Sequence, residues 1–139
     1  MNLLKNALQP TRLLHIMLRV NHLETSINFY TQHMDMRLLR QNDYSQGRFT
    51  LAFLGFADEA EATVIELTHN WDTASYQMGN ALGHLAFAVR DIYACCENFK
   101  AQGIKITRAP AAMRYDSTET IAFIEDPDGY TIELIEKAR

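Results

Sequence analysis

Cysteine is nearly absent from the chain. There are two, Cys95 and Cys96, and they are neighbours. Adjacent residues on what reads as a helix are poorly placed to bridge each other or to build a zinc ribbon, so two buried or half-buried thiols are expected. There is no long run of like charge either. A net charge of -4 spread along the chain lacks the electrostatic footprint of a nucleic-acid binder, and no nucleic-acid partner is expected. No stretch approaches the ~18 or more uninterrupted apolar residues of a membrane helix, and the opening MNLLKNALQP holds too short an apolar run for a signal-peptide core. No glycine-rich phosphate motif is present, so no nucleotide cofactor is implied. The expectation is a soluble, cytoplasmic protein with no membrane association.

What remains is ordinary globular composition, 47% hydrophobic and 22% charged. A chain of 139 residues suits one compact unit or two very small modules sharing a core. We expect a single domain over residues 1–139 that contains an internal repeat. Residues 15–30, HIMLRVNHLETSINFY, align without a gap on residues 84–99, HLAFAVRDIYACCENF. His15 falls on His84, Val20 on Val89 and Leu23 on Ile92. Further on, Leu51-Ala52-Phe53 matches Ile121-Ala122-Phe123, and Val64-Ile65-Glu66-Leu67 matches Thr131-Ile132-Glu133-Leu134. Repeat one runs from about 12 to 71 and repeat two from about 81 to 136.

Each repeat reads strand, helix, strand, strand, strand. Leu13–Val20 is apolar and β-favouring, and Leu23, Ile27, Tyr30 and Met34 recur at helical spacing across 23–34. In repeat two, Asp91 is a suitable N-cap, Ile92, Cys95, Cys96 and Phe99 face inward, and Gly103 is a suitable stop. Strands follow near 104–108, 118–125 and 130–135, with a hairpin at Glu125-Asp126-Pro127-Asp128-Gly129. The acidic stretch 57–62 reads as a solvated loop without function. The fold class is α+β: two tandem βαβββ modules forming curved mixed sheets with helices on the outer face.

Parity then sorts the strand residues, because alternate side chains share a face. His15, Met17 and Arg19 lie opposite Ile16, Leu18 and Val20. Glu66, Thr68 and Asn70 lie opposite Ile65 and Leu67. In repeat two, His84, Ala86 and Ala88 share a face, as do Thr131, Glu133 and Ile135, and the alanines leave room above the sheet. A lone strand histidine is most often a hydrogen-bonded core or surface residue. Two histidines and two glutamates at matching repeat positions are another matter, because carboxylates set in apolar strands are costly unless paired or metal-bound. His15, Glu66, His84 and Glu133 are therefore candidate metal ligands. Imidazole with carboxylate and no thiolate suits nickel, cobalt, manganese, iron or zinc. His22, His33 and His69 read as structural or solvent-exposed.

Arg12-Leu13-Leu14-His15 with Met17-Leu18-Arg19-Val20, Phe29-Tyr30, Val64-Ile65-Glu66-Leu67-Thr68-His69-Asn70-Trp71, Gly83-His84, and Glu125-Asp126-Pro127-Asp128-Gly129-Tyr130 with Ile132-Glu133-Leu134 together resemble glyoxalase I. The likeness is to the short bacterial form of this family, within the vicinal oxygen chelate superfamily, and runs from Arg12 to Glu136. It implies isomerisation of the glutathione–methylglyoxal hemithioacetal to S-lactoylglutathione through an enediolate, detoxifying 2-oxoaldehydes. It also implies a divalent metal on His15, Glu66, His84 and Glu133, with Glu133 as catalytic base and Glu66 opposite it. The short form points to Ni2+, with Co2+ or Mn2+ as alternatives and Zn2+ behind them. The resemblance further implies a homodimer whose sites lie between chains, His15 and Glu66 coming from one and His84 and Glu133 from the other. Arg19 and Asn70 would hold the γ-glutamyl end of glutathione.

Three departures from the family pattern stand out. Asp35 replaces a glycine, and tolerates the left-handed backbone better than most residues. Leu85 follows the second histidine and points away from the site. The loop 109–118 replaces a glycine-rich, lysine-containing stretch, and there Arg114 is the candidate for the glycyl carboxylate. Two other readings share the fold. One is a related enzyme such as a methylmalonyl-CoA epimerase or an iron dioxygenase; the other is a metal-free binding protein like the bleomycin-resistance proteins.

Overall fold

Residues 7–138 are described in the computed structural model, so the first part of the opening apolar stretch, residues 1–6, and the last residue of the expected domain lie outside the described residues. The first half contains β1 (His15–Arg19), α1 (Leu23–Asn28), a π-helical turn (Phe29–His33), β2 (Arg37–Tyr44), β3 (Phe49–Gly55) and β4 (Val64–Asn70). The second contains β5 (Leu85–Val89), α2 (Ile92–Ala101), β6 (Ile106–Met113), β7 (Asp116–Glu125) and β8 (Thr131–Glu136). Each half makes a four-stranded mixed sheet, ordered β1-β4-β3-β2 and β5-β8-β7-β6. In each, the first and last strands pair in parallel and the remaining pairs are antiparallel. The helices lie outside the sheets, and the α+β architecture of tandem modules is borne out.

The period-2 pattern decides which face is buried. Leu18 and Val20 are buried on the helix side of β1, while Met17 and Arg19 point the other way and are exposed. Leu67, Ile132 and Leu134 continue the buried face, and residues of both halves merge into one hydrophobic cluster. α2 begins at Asp91, whose carboxylate accepts a hydrogen bond from the Ala94 N–H at 3.0 Å. It ends before Gly103 at φ 80°, a backbone state glycine adopts without penalty. Ile92, Cys96 and Phe99 are buried, and Cys95 is half-buried.

Two expectations need correction. Residues 23–34 do not form one α-helix: after Asn28 the chain widens into the π-turn, where the Met34 N–H reaches the Phe29 carbonyl at 3.3 Å. Thr31 bonds back to the Ile27 carbonyl at 2.8 Å, a contact that bends helices. Phe29 and Tyr30, both within this turn, are buried. Asp35 follows at φ 60° and reverses the chain. The second correction concerns 109–118, which is not a loop. β6 continues to Met113 and β7 starts at Asp116, so the segment is a long, irregular hairpin with register shifts at Arg108/Ala111 and Ala112/Met113.

The turn before β8 ties the halves together. Asp126 is buried, and its carboxylate accepts from the Tyr30 hydroxyl at 2.8 Å and from the Asp128 and Tyr130 N–H groups at 2.9 Å each. Asp128 accepts in turn from the Asn21 N–H at 2.8 Å and the Ser26 hydroxyl at 3.1 Å. The Tyr130 hydroxyl donates to the Arg19 carbonyl at 2.7 Å. Burial raises the Asp126 carboxyl above its usual range, although the hydrogen bonds it accepts pull the other way. Burial and the Asp126 charge push the Tyr30 hydroxyl far up.

Tyr30→Phe should therefore cost about 1–3 kcal/mol at neutral pH, since it removes a buried bond to a charged acceptor. A tyrosine whose pKa is raised on folding contributes stability that is present below its unfolded value of about 10 and fades above it. The deficit of the variant, measured by urea unfolding, should narrow above about pH 10. A deficit that stays constant to higher pH would rule out this linkage.

Candidate functional site

β1 and β4 run in parallel with Met17 beside Glu66, so His15 reaches Glu66 diagonally across the strand pair. The His15 Nε2 to Glu66 Oε2 distance is 2.7 Å. On the other side of β4, Phe53 of β3 stands opposite Glu66. Its ring meets the His15 imidazole edge to face, with centroids 5.6 Å apart and planes at 83°.

The second sheet repeats the device. Ala86 lies beside Glu133, and His84, the residue before β5, stands to Glu133 as His15 does to Glu66. Phe123 is opposite Glu133 and packs on His84 at 5.7 Å and 73°. The spacing differs, however: His84 Nε2 is 3.8 Å from Glu133 Oε1, beyond hydrogen-bond range. The glutamate side chains are only 12% and 16% exposed, whereas the histidines are 38% and 43% exposed. Each carboxylate is thus held among apolar strands with one imidazole at its open side, an arrangement that favours a cation or a proton donor there.

Among the described residues, no three His, Cys, Asp or Glu side chains converge on a point that could hold a metal ion. The chain brings the four predicted ligands together two by two, His15 with Glu66 and His84 with Glu133. Arg19 and Asn70 repeat the diagonal of the first pair four residues along, since Arg19 lies beside Thr68 and Asn70 is two residues further. Arg19 is exposed and lines a cleft of about 270 Å³ with Tyr76, Met78 and Leu82. Arg114 is at the tip between β6 and β7, its guanidinium 5.1 Å from the Tyr115 ring centroid, and no hydrogen bond or ion pair among the described residues joins it to either His–Glu pair. A cavity of about 600 Å³ runs along β5, bordered by His84, Ala86 and Ala88.

The other histidines are elsewhere. His69 sits on the opposite face of β4 with Nδ1 3.4 Å from the Val20 carbonyl, His22 precedes α1, and His33 lies in the π-turn against Phe29. Burial raises the thiols of Cys95 and Cys96, which keeps both protonated and unreactive.

Sequence reasoning missed three residues near the two pairs. Phe53 and Phe123 had already aligned in the repeat, and applying parity to them would have placed both on the histidine face. Glu59, in the stretch read as functionless, makes a bidentate pair with Arg40 at 2.8 and 3.1 Å. That contact joins a connection to a distant strand edge and leaves no local signal.

The family described as the Glyoxalase/Bleomycin resistance protein/Dioxygenase superfamily matches residues 12–134. A lactoylglutathione lyase of Neisseria meningitidis serogroup B is 56% identical over 126 residues, covering 91% of this chain and 91% of its own. One from Salmonella typhimurium is 50% identical over 125 residues, covering 90% and 92%. Among solved structures, glyoxalase I from Zea mays superposes with a TM-score of 0.87 at 43% identity, over 92% of this chain; the chain spans 45% of the maize protein's length. A trypanothione-dependent glyoxalase I from Leishmania major gives a TM-score of 0.82 at 38% identity, over 91% of this chain and 87% of its own.

Proposed function

The chain belongs to the Glyoxalase/Bleomycin resistance protein/Dioxygenase superfamily and its activity is that of a lactoylglutathione lyase; from that premise we propose that its two His–Glu pairs are halves of one divalent-metal site, completed by a second copy of the chain. The observation that carries this reading is the duplicated device itself, a histidine, a glutamate and a phenylalanine at the same register in both sheets. Neither half has enough donors alone, and both glutamates are withdrawn from solvent. Two imidazoles and two carboxylates with no thiolate fit a divalent ion of borderline hardness. We take the metal to be nickel, with cobalt or manganese next and zinc last, because the chain has the short form of the family. The substrate is the hemithioacetal of glutathione and methylglyoxal. Among the described residues no helix is long and apolar enough to cross a membrane, and we place the homodimer in the cytoplasm.

A metal held by His15, Glu66, His84 and Glu133 would act as a Lewis acid toward the negative charge developing on the substrate's two adjacent oxygens. The chain's own residues do the rest. Glu133 removes the proton from the carbon bearing sulfur and returns it to the neighbouring carbon, acting as base and then as acid. We assign that role to Glu133 on the resemblance to glyoxalase I, with Glu66 on the opposite side of the site. Arg19, with Asn70 on the same diagonal, presents a guanidinium fork for the γ-glutamyl carboxylate. Ala86, beside Glu133, and Ala88 are small and leave room above β5 for the reacting carbons. Arg114 takes the glycyl carboxylate from the hairpin tip.

Three outcomes follow. Metal-stripped protein reloaded with nickel or cobalt should regain lactoylglutathione formation from methylglyoxal and glutathione, and reloading with zinc should not; no recovery with any metal would sink the metal site. Glu133→Gln should lower kcat by about 10²–10⁴-fold with metal still bound, the range expected for loss of a positioned proton-transfer group; a smaller loss than for Glu66→Gln would move the base to Glu66. Finally, inactive His15→Ala and His84→Ala chains should regain activity when mixed and allowed to exchange, because one of the two sites in each mixed dimer then carries all four ligands. Sites built within single chains would give no recovery.

A further inference from the structure

A row of side chains crosses the first sheet behind the metal-facing pair. Arg40 on β2 is opposite Phe53 on β3, and Phe53 is opposite Glu66 on β4. The Arg40 guanidinium lies 3.6 Å from the Phe53 ring centroid, in cation–π contact, and the same ring packs against His15. Arg40 is held from its other side by Glu59, through two hydrogen bonds of 2.8 and 3.1 Å that keep the Glu59 carboxyl below its usual range. The Arg12 guanidinium adds a hydrogen bond to the Glu59 carbonyl. Glu59, Arg40, Phe53 and His15 are thus stacked in sequence, from the β3–β4 connection to the ligand.

The second sheet has the same row but not the same contacts. Arg108 on β6 is opposite Phe123, and Phe123 is opposite Glu133. Arg108, however, turns its guanidinium to the Ala112 carbonyl at 3.1 Å. Among the described residues no cation lies over Phe123 and no acid grips Arg108. The difference coincides with the pair distances, 2.7 Å where the arginine is stacked and 3.8 Å where it is not.

We infer that Arg40, gripped by Glu59, is a positioning residue for the first half-site: it presses Phe53 against His15 and holds His15 and Glu66 closed for the metal, a support that the second half-site lacks. The first pair then acts as the rigid jaw and the second as the loose one. Outer contacts that orient a histidine ligand set metal affinity as well as geometry. The inference rests on the reading of His15 and Glu66 as metal ligands.

The test is cobalt(II) titration of the metal-stripped full-length dimer, followed by the visible ligand-field absorption and by competition with a chelator. Arg40→Met and Glu59→Gln should each weaken cobalt binding about tenfold and shift the absorption band. Arg108→Met, at the matching position of the second sheet, should leave both unchanged. Cobalt affinity and spectrum at the wild-type level in Arg40→Met would overturn the inference, even if that variant melts lower. Equal losses in Arg40→Met and Arg108→Met would overturn it too, because the asymmetry would be gone. His15→Ala separates the two levels: wild-type cobalt binding in that variant removes the metal reading itself, whereas loss there with none in Arg40→Met removes only the positioning role.

Discussion

Asp126 is a carboxylate buried at the seam between two sheets, and the placement of one half of the chain on the other turns on it. It belongs to the last hairpin turn of the second half, yet its strongest side-chain partner, Tyr30, is in the π-turn of the first. The turn closes around it through two backbone N–H groups, so Asp128 and Tyr130 are delivered at fixed positions. Asp128 then grips the start of α1 and Tyr130 the end of β1. A buried carboxylate is tolerated only when its acceptor sites are filled, and here the groups that fill them come from both halves. The turn that precedes β8, the strand of Glu133, therefore also grips the end of β1, the strand of His15 and Arg19. The φ of 91° at Gly129 is what allows the chain to turn that tightly before Tyr130.

Where local pattern and tertiary structure agreed, the sequence was readable. The repeat placed His15 on His84 and Glu66 on Glu133, and strand parity put all four opposite the aliphatic face. Asp91 and Gly103 are local punctuation, and both were legible because capping chemistry involves residues a few positions apart. The π-turn was not legible, because the spacing of Leu23, Ile27, Tyr30 and Met34 suits an ordinary helix. The bond from the Thr31 hydroxyl back to the Ile27 carbonyl accompanies the widening, and the spacing of the apolar residues carries no signal of it. The hairpin at 106–125 was missed for a related reason. Ala109, Pro110, Ala111 and Ala112 carry weak strand propensity, and only pairing with β7 makes that segment a strand. Arg40 and Glu59 are nineteen residues apart, and no local pattern joins them.

Duplication explains the sameness of the halves, and the substitutions within it explain how they divide the work. At matched positions Met17 and Arg19 correspond to Ala86 and Ala88, since the register sets Met17 beside Glu66 and Ala86 beside Glu133. One half carries long side chains next to its histidine, and the other has almost none. The half with long side chains is also the one whose His–Glu pair is closed and backed by a clamped arginine. The half with alanines has the open pair.

A site joining one half of each kind would therefore have a fixed side and a mobile side. In the proposed reading, Arg19 with Asn70 holds the glutathione arm from the sheet whose His–Glu pair is in contact. Moving a proton between adjacent carbons needs a carboxylate with slack, because the same oxygen must reach two positions in turn. In the proposed reading that carboxylate is Glu133, which has Ala86 on one side and Phe123 on the other and makes no hydrogen bond to its histidine. Two identical half-sites would give either two rigid jaws or two loose ones. On the same reading, the differences between the repeats fall on the neighbours of the ligands and would give a symmetric metal cage its direction, while the ligands themselves stay the same.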